Sequence, residues 1–296
     1  MWTPSFACTI CRSLLPIVPG QCATCGASYA VSNGVFRFAS DARLYDFSTF
    51  LAQYLAVRHA DGHVLSSAAD YRALPNVARS HPAAVEWTIR RRSLHSLYQV
   101  PGLARRPARV LDLGAGNGWL SHQVTRSGHA SVAVDLNDDA GDGLGACRSY
   151  EVAFPVVQAD FDDLPFAPGQ FDVAVMNASL HYSRDPEQTL LRVAHMLVPG
   201  GTLVVMDSPM FVDIADGERM VARQLDALRG AQRTLRPVRR GVGFLTFSGL
   251  QSIARRLGRG AQFMVSRGPR LWQLRRSWSA WARGHEPATF GVWVAQ

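Results

Sequence analysis

Residues 109–118 read Arg-Val-Leu-Asp-Leu-Gly-Ala-Gly-Asn-Gly, and the change of character inside those ten positions decides the fold. Arg109 to Leu113 is a short apolar run of strand type. Gly114, Gly116 and Gly118 then let the backbone turn sharply and approach a ligand closely, and a helix through about Ser127 follows, its N-terminus offering free N–H groups. The dinucleotide fingerprint GxGxxG does not fit, because Trp119 stands where its third glycine belongs. Asp112, two residues before the first glycine, suits a cationic amine better than a pyrophosphate.

Outward from this loop the pattern repeats. Ala130–Val134 is a second strand ending at Asp135, whose carboxylate can accept from both hydroxyls of a ribose. Phe154–Asp160 ends in another acid, Phe171–Asn177 is a fourth buried strand and Thr202–Met206 a fifth. Between the last two, Asp185 caps a helix with Pro186 in its first turn, Leu190, Leu191, Ala194 and Leu197 form its buried stripe, and Pro199-Gly200-Gly201 ends it. Strands alternating with helices predict an α/β, doubly wound, mostly parallel sheet. Upstream, 41–57 and 83–99 have helical spacing, the second around Arg90-Arg91-Arg92. They read as amphipathic helices packed on the main domain, or as a lid presenting Arg or His81 to a substrate. Pro101 to Pro107 marks the boundary. The expected organisation is 1–40, 41–108 and 109–296.

Four of the five cysteines form two CxxC pairs, Cys8/Cys11 and Cys22/Cys25, a spacing that places four thiolates around one tetrahedral Zn2+. Such a closed site serves folding rather than chemistry. Cys147 stands alone and reads as a small buried residue. Tyr29 to Phe38 reads as a hairpin turning at Asn33-Gly34. The 296 residues are 47% hydrophobic and 18% charged, too apolar for a disordered chain. No stretch reaches the ~18 apolar residues of a membrane span, and the N-terminus lacks the basic start of a signal peptide, so a reducing cytoplasm is expected. All 31 basic residues are Arg and the net charge is +8. Residues 217–296 hold fifteen Arg against Glu218, Asp226 and Glu286, or +12, so the remainder is −4.

Taken together, Val110-Leu-Asp-Leu-Gly-Ala-Gly-Asn-Gly118, Asp135, Ala159-Asp160 with Leu164-Pro165-Phe166, Phe171-Asp172 and Leu197-Val-Pro-Gly-Gly201 resemble a class I S-adenosylmethionine-dependent methyltransferase of the UbiE/Methyltransf_11 type. Residues 8–38 resemble the Trm112-like zinc ribbon, with Ala30 and Phe36 in place of two prolines of that pattern. The resemblance implies a Rossmann-like sheet of seven strands, its antiparallel end near Gln262–Val265 and Phe290–Val294, preceded by a small ribbon. A helix from Ser248 to Leu257 would precede that end. It also implies residue roles. Gly114, Ala115 and Gly116 face the methionine and ribose of S-adenosylmethionine, and Asp112 its amine side. Asp135 takes the ribose hydroxyls and Leu136 the adenine face. Asp160 accepts from the adenine amino group, the Phe161 N–H meets a ring nitrogen, and Asn177 borders the methionine.

For the acceptor, His181 and Tyr182 follow the fourth strand, and His181 is the base candidate; a structural histidine is the alternative. Asn177-Ala-Ser-Leu180 is not the Asn/Asp-Pro-Pro-Tyr of exocyclic-amino nucleic-acid methyltransferases. The expected activity is methyl transfer to a small molecule, and an acidic or phosphorylated one would reconcile the basic C-terminal segment. The alternatives are an rRNA guanine methyltransferase and a non-catalytic, cofactor-binding scaffold for a partner protein. On the RNA reading, Trp272, Trp278 and Trp281 among Arg270, Arg275, Arg276 and Arg283 stack bases and grip phosphates. On the plain reading, Leu271, Leu274, Trp278 and Trp281 are core.

Overall fold

The computed structural model describes residues 2–104, 107–231, 241–282 and 284–296. Five short strands open the chain: β1 (Phe6–Ala7), β2 (Leu14–Leu15), β3 (Gly20–Gln21), β4 (Ser28–Ser32) and β5 (Val35–Arg37). Helices α1 (Asp41–Ala60), α2 (Ala68–Ala73), α3 (Ala84–Leu97) and α4 (Pro101–Ala104) follow. Then come β6 (Arg109–Leu113), α5 (Trp119–Arg126), β7 (Ala130–Asp135), β8 (Val156–Gln158), β9 (Phe171–Asn177), α6 (Pro186–His195) and β10 (Leu197–Met206). The remainder is β11 (Met210–Phe211), α7 (Ile214–Ala231), β12 (Leu245–Thr246), α8 (Phe247–Arg256), β13 (Ala261–Val265), α9 (Arg270–Ala282) and β14 (Gly291–Ala295).

The main sheet runs β13-β14-β10-β9-β6-β7-β8-β5-β4-β3. Strands β8, β7, β6, β9 and β10 are parallel neighbours, while β14 is antiparallel to β10 and β13 to β14. These are the seven strands expected, antiparallel end included. Chain order reverses between β6 and β9, the switch point outside which ligands bind in open α/β sheets. Both faces are covered, so the strands are continuous apolar runs: Leu111, Val134 and Met176 belong to one core, Val110, Val175 and Met206 to the other with Trp87 and Trp119.

The ribbon is joined to this sheet. Strand β5 pairs parallel with β8, Val35 opposite Val156 and Arg37 opposite Gln158, so β5, β4 and β3 extend the edge. Phe6 fixes the junction, its ring 4.9 Å from Phe36, 5.0 Å from Phe38 and 5.7 Å from Phe166. Arg12 crosses to Asp163 and to the Leu164 carbonyl.

Local signals were honoured with two shifts. Asp185 caps α6, accepting from the Gln188 N–H at 3.0 Å. The Pro199-Gly200-Gly201 turn lies inside β10, at its register shift, because α6 has already stopped at His195. Helix α8 is capped by Thr246, whose hydroxyl accepts from Gly249 N–H at 3.1 Å, two residues before the expected Ser248. Thr246 ends β12 in extended backbone, the geometry an N-cap needs.

Candidate active site

The C-terminal ends of β6, β7, β8 and β9 surround a cavity of about 320 Å3, within the size range of ligand pockets. Gly114 and Gly116 floor it, Asp135, Leu136 and Asn137 form one wall, Asp160, Phe161 and Asp162 another, and Ala178, Ser179 and Tyr182 a third. Its roof is α1, which lowers Arg43, Phe47, Phe50, Leu51 and Tyr54 onto the opening. Residues 41–57, read from sequence as a packed amphipathic helix or as a lid, belong to this helix. Phe50 and Tyr54 meet the Tyr182 ring edge-on at 5.7 and 5.9 Å.

The glycine loop is held by its own acid. Asp135 Oδ2 accepts from Gly116 N–H at 2.8 Å and Oδ1 from Asn137 N–H at 2.8 Å, while burial lifts the carboxyl to about 6. At Gly116, with φ +54°, a side chain would project into open space, its nearest neighbour the Asp142 carbonyl at 3.8 Å. Asp112 lies fully buried beneath, accepting from Ser121 N–H at 3.1 Å and Ser121 Oγ at 2.8 Å; burial pushes it up to about 7. Its Oδ1 has no partner, nor has Asn177 Oδ1. Asn177 and Ala115 border a smaller cavity of about 50 Å3 beside the loop, with Tyr54, Arg58 and Arg90. Asp160 Oδ2 is met by Arg43 from the roof (Nε at 2.5 Å), and Oδ1 accepts from Asp162 N–H at 3.0 Å. The expected cofactor residues therefore converge on one place. Asp112 supports it from behind.

His181 is not among the residues lining these cavities. It sits half-buried in the 3-10 turn Leu180–Tyr182, Nδ1 3.2 Å from Ser208 Oγ, its carbonyl accepting from Gly243 N–H at 2.8 Å, and burial lowers its ring to about 4. His81 is likewise occupied, its Nδ1 accepting from Ala83 N–H at 3.1 Å as α3 begins.

A third cavity, about 460 Å3, has no counterpart in the sequence reading. His63, Glu86, Arg90, Asp207, Trp272 and Phe290 line it, and Arg90 is shared with the small cavity at the loop. His63 Nε2 lies 3.2 Å from Glu86 Oε2, and Arg90 pairs with the same carboxylate. Burial would raise Glu86, but Arg90, His63 and Arg58 outweigh it and hold the carboxyl well below its usual range. His63 Nδ1, Arg90 Nε and Asp207 Oδ2 are buried without partners, which is costly unless a ligand supplies them. Asp207, lifted to about 6 by burial, accepts from Ser93 Oγ at 2.5 Å. Ala178 and Asp207, at the ends of neighbouring β9 and β10, carry φ of +50° and +55°, strain of the kind found at functional sites. Of these residues only the Glu86/Arg90 spacing, one helical turn, was readable locally.

At the ribbon, the sulfurs of Cys8, Cys11, Cys22 and Cys25 all lie within 4.8 Å of one another, with Cys8–Cys25 and Cys11–Cys22 at 3.5 Å. A tetrahedral Zn2+ at about 2.3 Å from sulfur sets sulfurs roughly 3.8 Å apart, so the donor set fits. Both knuckles share one pattern: Arg12 N–H reaches the Cys8 carbonyl at 3.0 Å and Gly26 N–H the Cys22 carbonyl at 2.9 Å, both residues at positive φ. Tyr29 Oη steadies the first, 3.1 Å from Cys8 Sγ. Cys147 is raised by burial and packs under Gly118, as expected of an inert thiol.

Comparison with known proteins agrees with this geometry. Residues 111–205 match the family model described as "Methyltransferase domain". The chain carries a methyltransferase domain. Over that domain it resembles the malonyl-[acyl-carrier protein] O-methyltransferase of Enterobacter lignolyticus (32% identity; 45% of this chain, 51% of the relative). It also resembles the fatty-acid O-methyltransferase of Mycolicibacterium smegmatis (33%; 38% and 42%) and the ubiquinone/menaquinone C-methyltransferase UbiE of Vibrio campbellii (34%; 35% and 42%). The chain thus spans about half, or less, of the length of these relatives. Among solved structures, the plantazolicin methyltransferase BpumL, in complex with a monoazolic desmethylPZN analog and SAH, superposes with a TM-score of 0.50 at 12% identity (86% of this chain, 98% of that one), a likeness of fold.

The basic C-terminal segment departs from its plain reading. Leu271, Leu274 and Trp278 are 74%, 67% and 71% exposed, so they are not core. Helix α9 instead packs through Trp272, Arg276 and Ala280, half a turn away. The Trp281 side chain and Arg283 lie outside the described residues. Several arginines are structural: Arg256 pairs with Glu187, Arg219 with Asp216, and Arg259 holds the Gly201 carbonyl. No helix among the described residues is long and apolar enough to cross a membrane.

Proposed function

We propose that the protein is an S-adenosylmethionine-dependent methyltransferase acting on a small-molecule acceptor. The carrying observation is the 320 Å3 cavity, built at the switch point from the glycine loop, Asp135 and Asp160 and roofed by α1. The bound cofactor supplies an already activated methyl group on a sulfonium. Asp135 offers its remaining lone pairs to ribose hydroxyls, Leu136 and Phe161 flank the adenine, and Asp160 accepts from its amino group. The Phe161 N–H meets a ring nitrogen. The unpartnered oxygens of Asp112 and Asn177 suit a cationic amine, beside Gly114, Ala115 and Gly116.

The cavity at His63 receives the acceptor in this reading, since Arg90 joins it to the loop. His63 Nδ1 takes a proton from an O–H or N–H acceptor, and Glu86 stabilises the imidazolium that forms. His181, the base expected from sequence, acts on Tyr182: it anchors the turn that sets that ring against Phe50 and Tyr54. The relatives that methylate acyl and quinone compounds support a small-molecule acceptor, acidic ones included. The four ribbon thiolates hold a structural Zn2+, which suits a reducing compartment such as the cytoplasm.

Calorimetry with S-adenosylhomocysteine tests the core of this proposal. Binding is expected at one site per chain, weakened at least tenfold by Asp135→Ala. Absence of binding to a folded, metal-loaded protein refutes it.

A further inference from the structure

Helices α3 and α9 meet on one side of the molecule, where Arg92 reaches across to the carbonyls of Arg267 and Gly268. The inner face of α9 is committed to the fold: the Arg276 guanidinium stacks on Trp272 at 4.9 Å and Phe290 at 5.4 Å, and Ala280 is buried. Its outer face carries Leu271, Leu274 and Trp278 at i, i+3 and i+7, each about 70% exposed. Arg270 and Arg275 flank this stripe on its two sides, Arg267 precedes it and Arg91 lies on neighbouring α3. All four arginines are exposed, and none forms an ion pair among the described residues.

Three large apolar side chains in a continuous exposed row mark an interaction surface rather than scattered surface residues. The row is a convex ridge, and the nearby cavity lies on the inner side of α9, behind Trp272. A ridge inserts into a deformable phase more readily than into a folded partner, which must offer a matching groove. Leucines do not stack on bases, leaving RNA one exposed aromatic among the described side chains of this face. Leucine and tryptophan between arginines form the pattern of a helix lying in a bilayer interface.

We propose that this face docks on an anionic lipid surface, Leu271, Leu274 and Trp278 entering the acyl boundary while Arg91, Arg267, Arg270 and Arg275 meet lipid phosphates. The proposal goes beyond methyl transfer and stands independently of it.

The test is flotation of the full-length protein with phosphatidylcholine vesicles, with and without phosphatidylglycerol. Flotation is expected only with the anionic vesicles and should fall as salt is raised. Tryptophan emission should shift to the blue, and Trp278→Phe should remove most of the shift. Leu274→Ser/Trp278→Ser should abolish flotation with an unchanged Tm, as both side chains are exposed. Arg270→Gln/Arg275→Gln should weaken anionic binding by about 30-fold, on roughly a factor of five per arginine. Undiminished flotation of either double variant overturns the proposal, as does wild-type protein that ignores phosphatidylglycerol. Binding to polyglutamate or mixed-sequence RNA with no vesicle binding would hand the face to a macromolecular partner instead.

Discussion

Replacing Gly114 by Ala tests the glycine loop at its tightest point. Gly114 has φ +69°, and a Cβ there would stand 2.3 Å from the Ser179 Cβ and 2.9 Å from its Oγ. The left-handed backbone alone costs an L residue about 1–2 kcal/mol. Ser179 cannot yield freely, because it is buried and its Oγ donates to the Leu113 carbonyl at 2.7 Å. Forcing it aside adds about 1–3 kcal/mol of overpacking, for a total of roughly 2–5 kcal/mol. The double variant Gly114→Ala/Ser179→Gly removes the obstruction and keeps the backbone cost. It also leaves the Leu113 carbonyl without its partner, worth about 1 kcal/mol. Urea unfolding of wild type, both singles and the double forms a complete cycle. A favourable coupling of about 1–2 kcal/mol is expected, since Ser179→Gly should relieve much of what Gly114→Ala inflicts. Additivity within about 0.5 kcal/mol, or a Gly114→Ala protein as stable as wild type, would falsify the described packing of loop against β9.

The same site carries a pH signature. Burial pushes the Asp112 carboxyl up to about 7, so between pH 6.5 and 8 this group holds more protons folded than unfolded and its contribution makes stability fall as pH rises. His122 and His181, lowered to about 4 by burial, act in the opposite sense, because they are neutral when folded while the unfolded chain still binds protons at the ordinary histidine value, so the Asp112 contribution is read as the difference between variant and wild type. Asp112→Asn should therefore shift the slope of stability against pH in the positive direction relative to wild type, measured by denaturation at several pH values, and should weaken S-adenosylhomocysteine binding; equal slopes contradict the buried carboxylate. Phe50→Ala, which opens the roof of the cavity, should cost about 1–2 kcal/mol of S-adenosylhomocysteine affinity by calorimetry, with a smaller effect on unfolding. Metal analysis should find one zinc per chain, lost in Cys22→Ser. The Tm of the whole protein, not of a separate ribbon transition, should drop with it, and an unaffected main transition would separate the two parts.

Much of the methyltransferase core was legible because its signals are local. Apolar runs ending in Asp135 and Asp160, glycines at 114, 116 and 118, and the Asp185 cap each act within a few residues of themselves. What escaped depends on distant partners. Nothing near Val35 announces that it will pair with Val156. Three consecutive arginines look alike in sequence, yet helical phase against the core sends Arg90 inward to Glu86 and leaves Arg91 and Arg92 exposed. His63 gains its meaning only when α3 brings Glu86 to its Nε2. Helix α9 carries apolar residues on two faces, so spacing could not say whether Trp272 or Trp278 would turn inward; the Arg276 guanidinium, over both the Trp272 and the Phe290 rings, marks Trp272 as the inward one.

The joining of β5 to β8 bears on how the edge of the sheet is protected. Without the ribbon, β8 would end the sheet as an unprotected strand, Val156-Val157-Gln158, flanked by Val132 and Val134 on β7, an open template for another chain. With the ribbon in place the outermost strand is β3, two residues long and exposed, too short to recruit a neighbour. With the Zn2+ proposed for them, the four cysteines would thus stand guard over the sheet's far edge. When metal is scarce, the first symptom should be self-association through that edge, ahead of any loss at the distant cofactor loop.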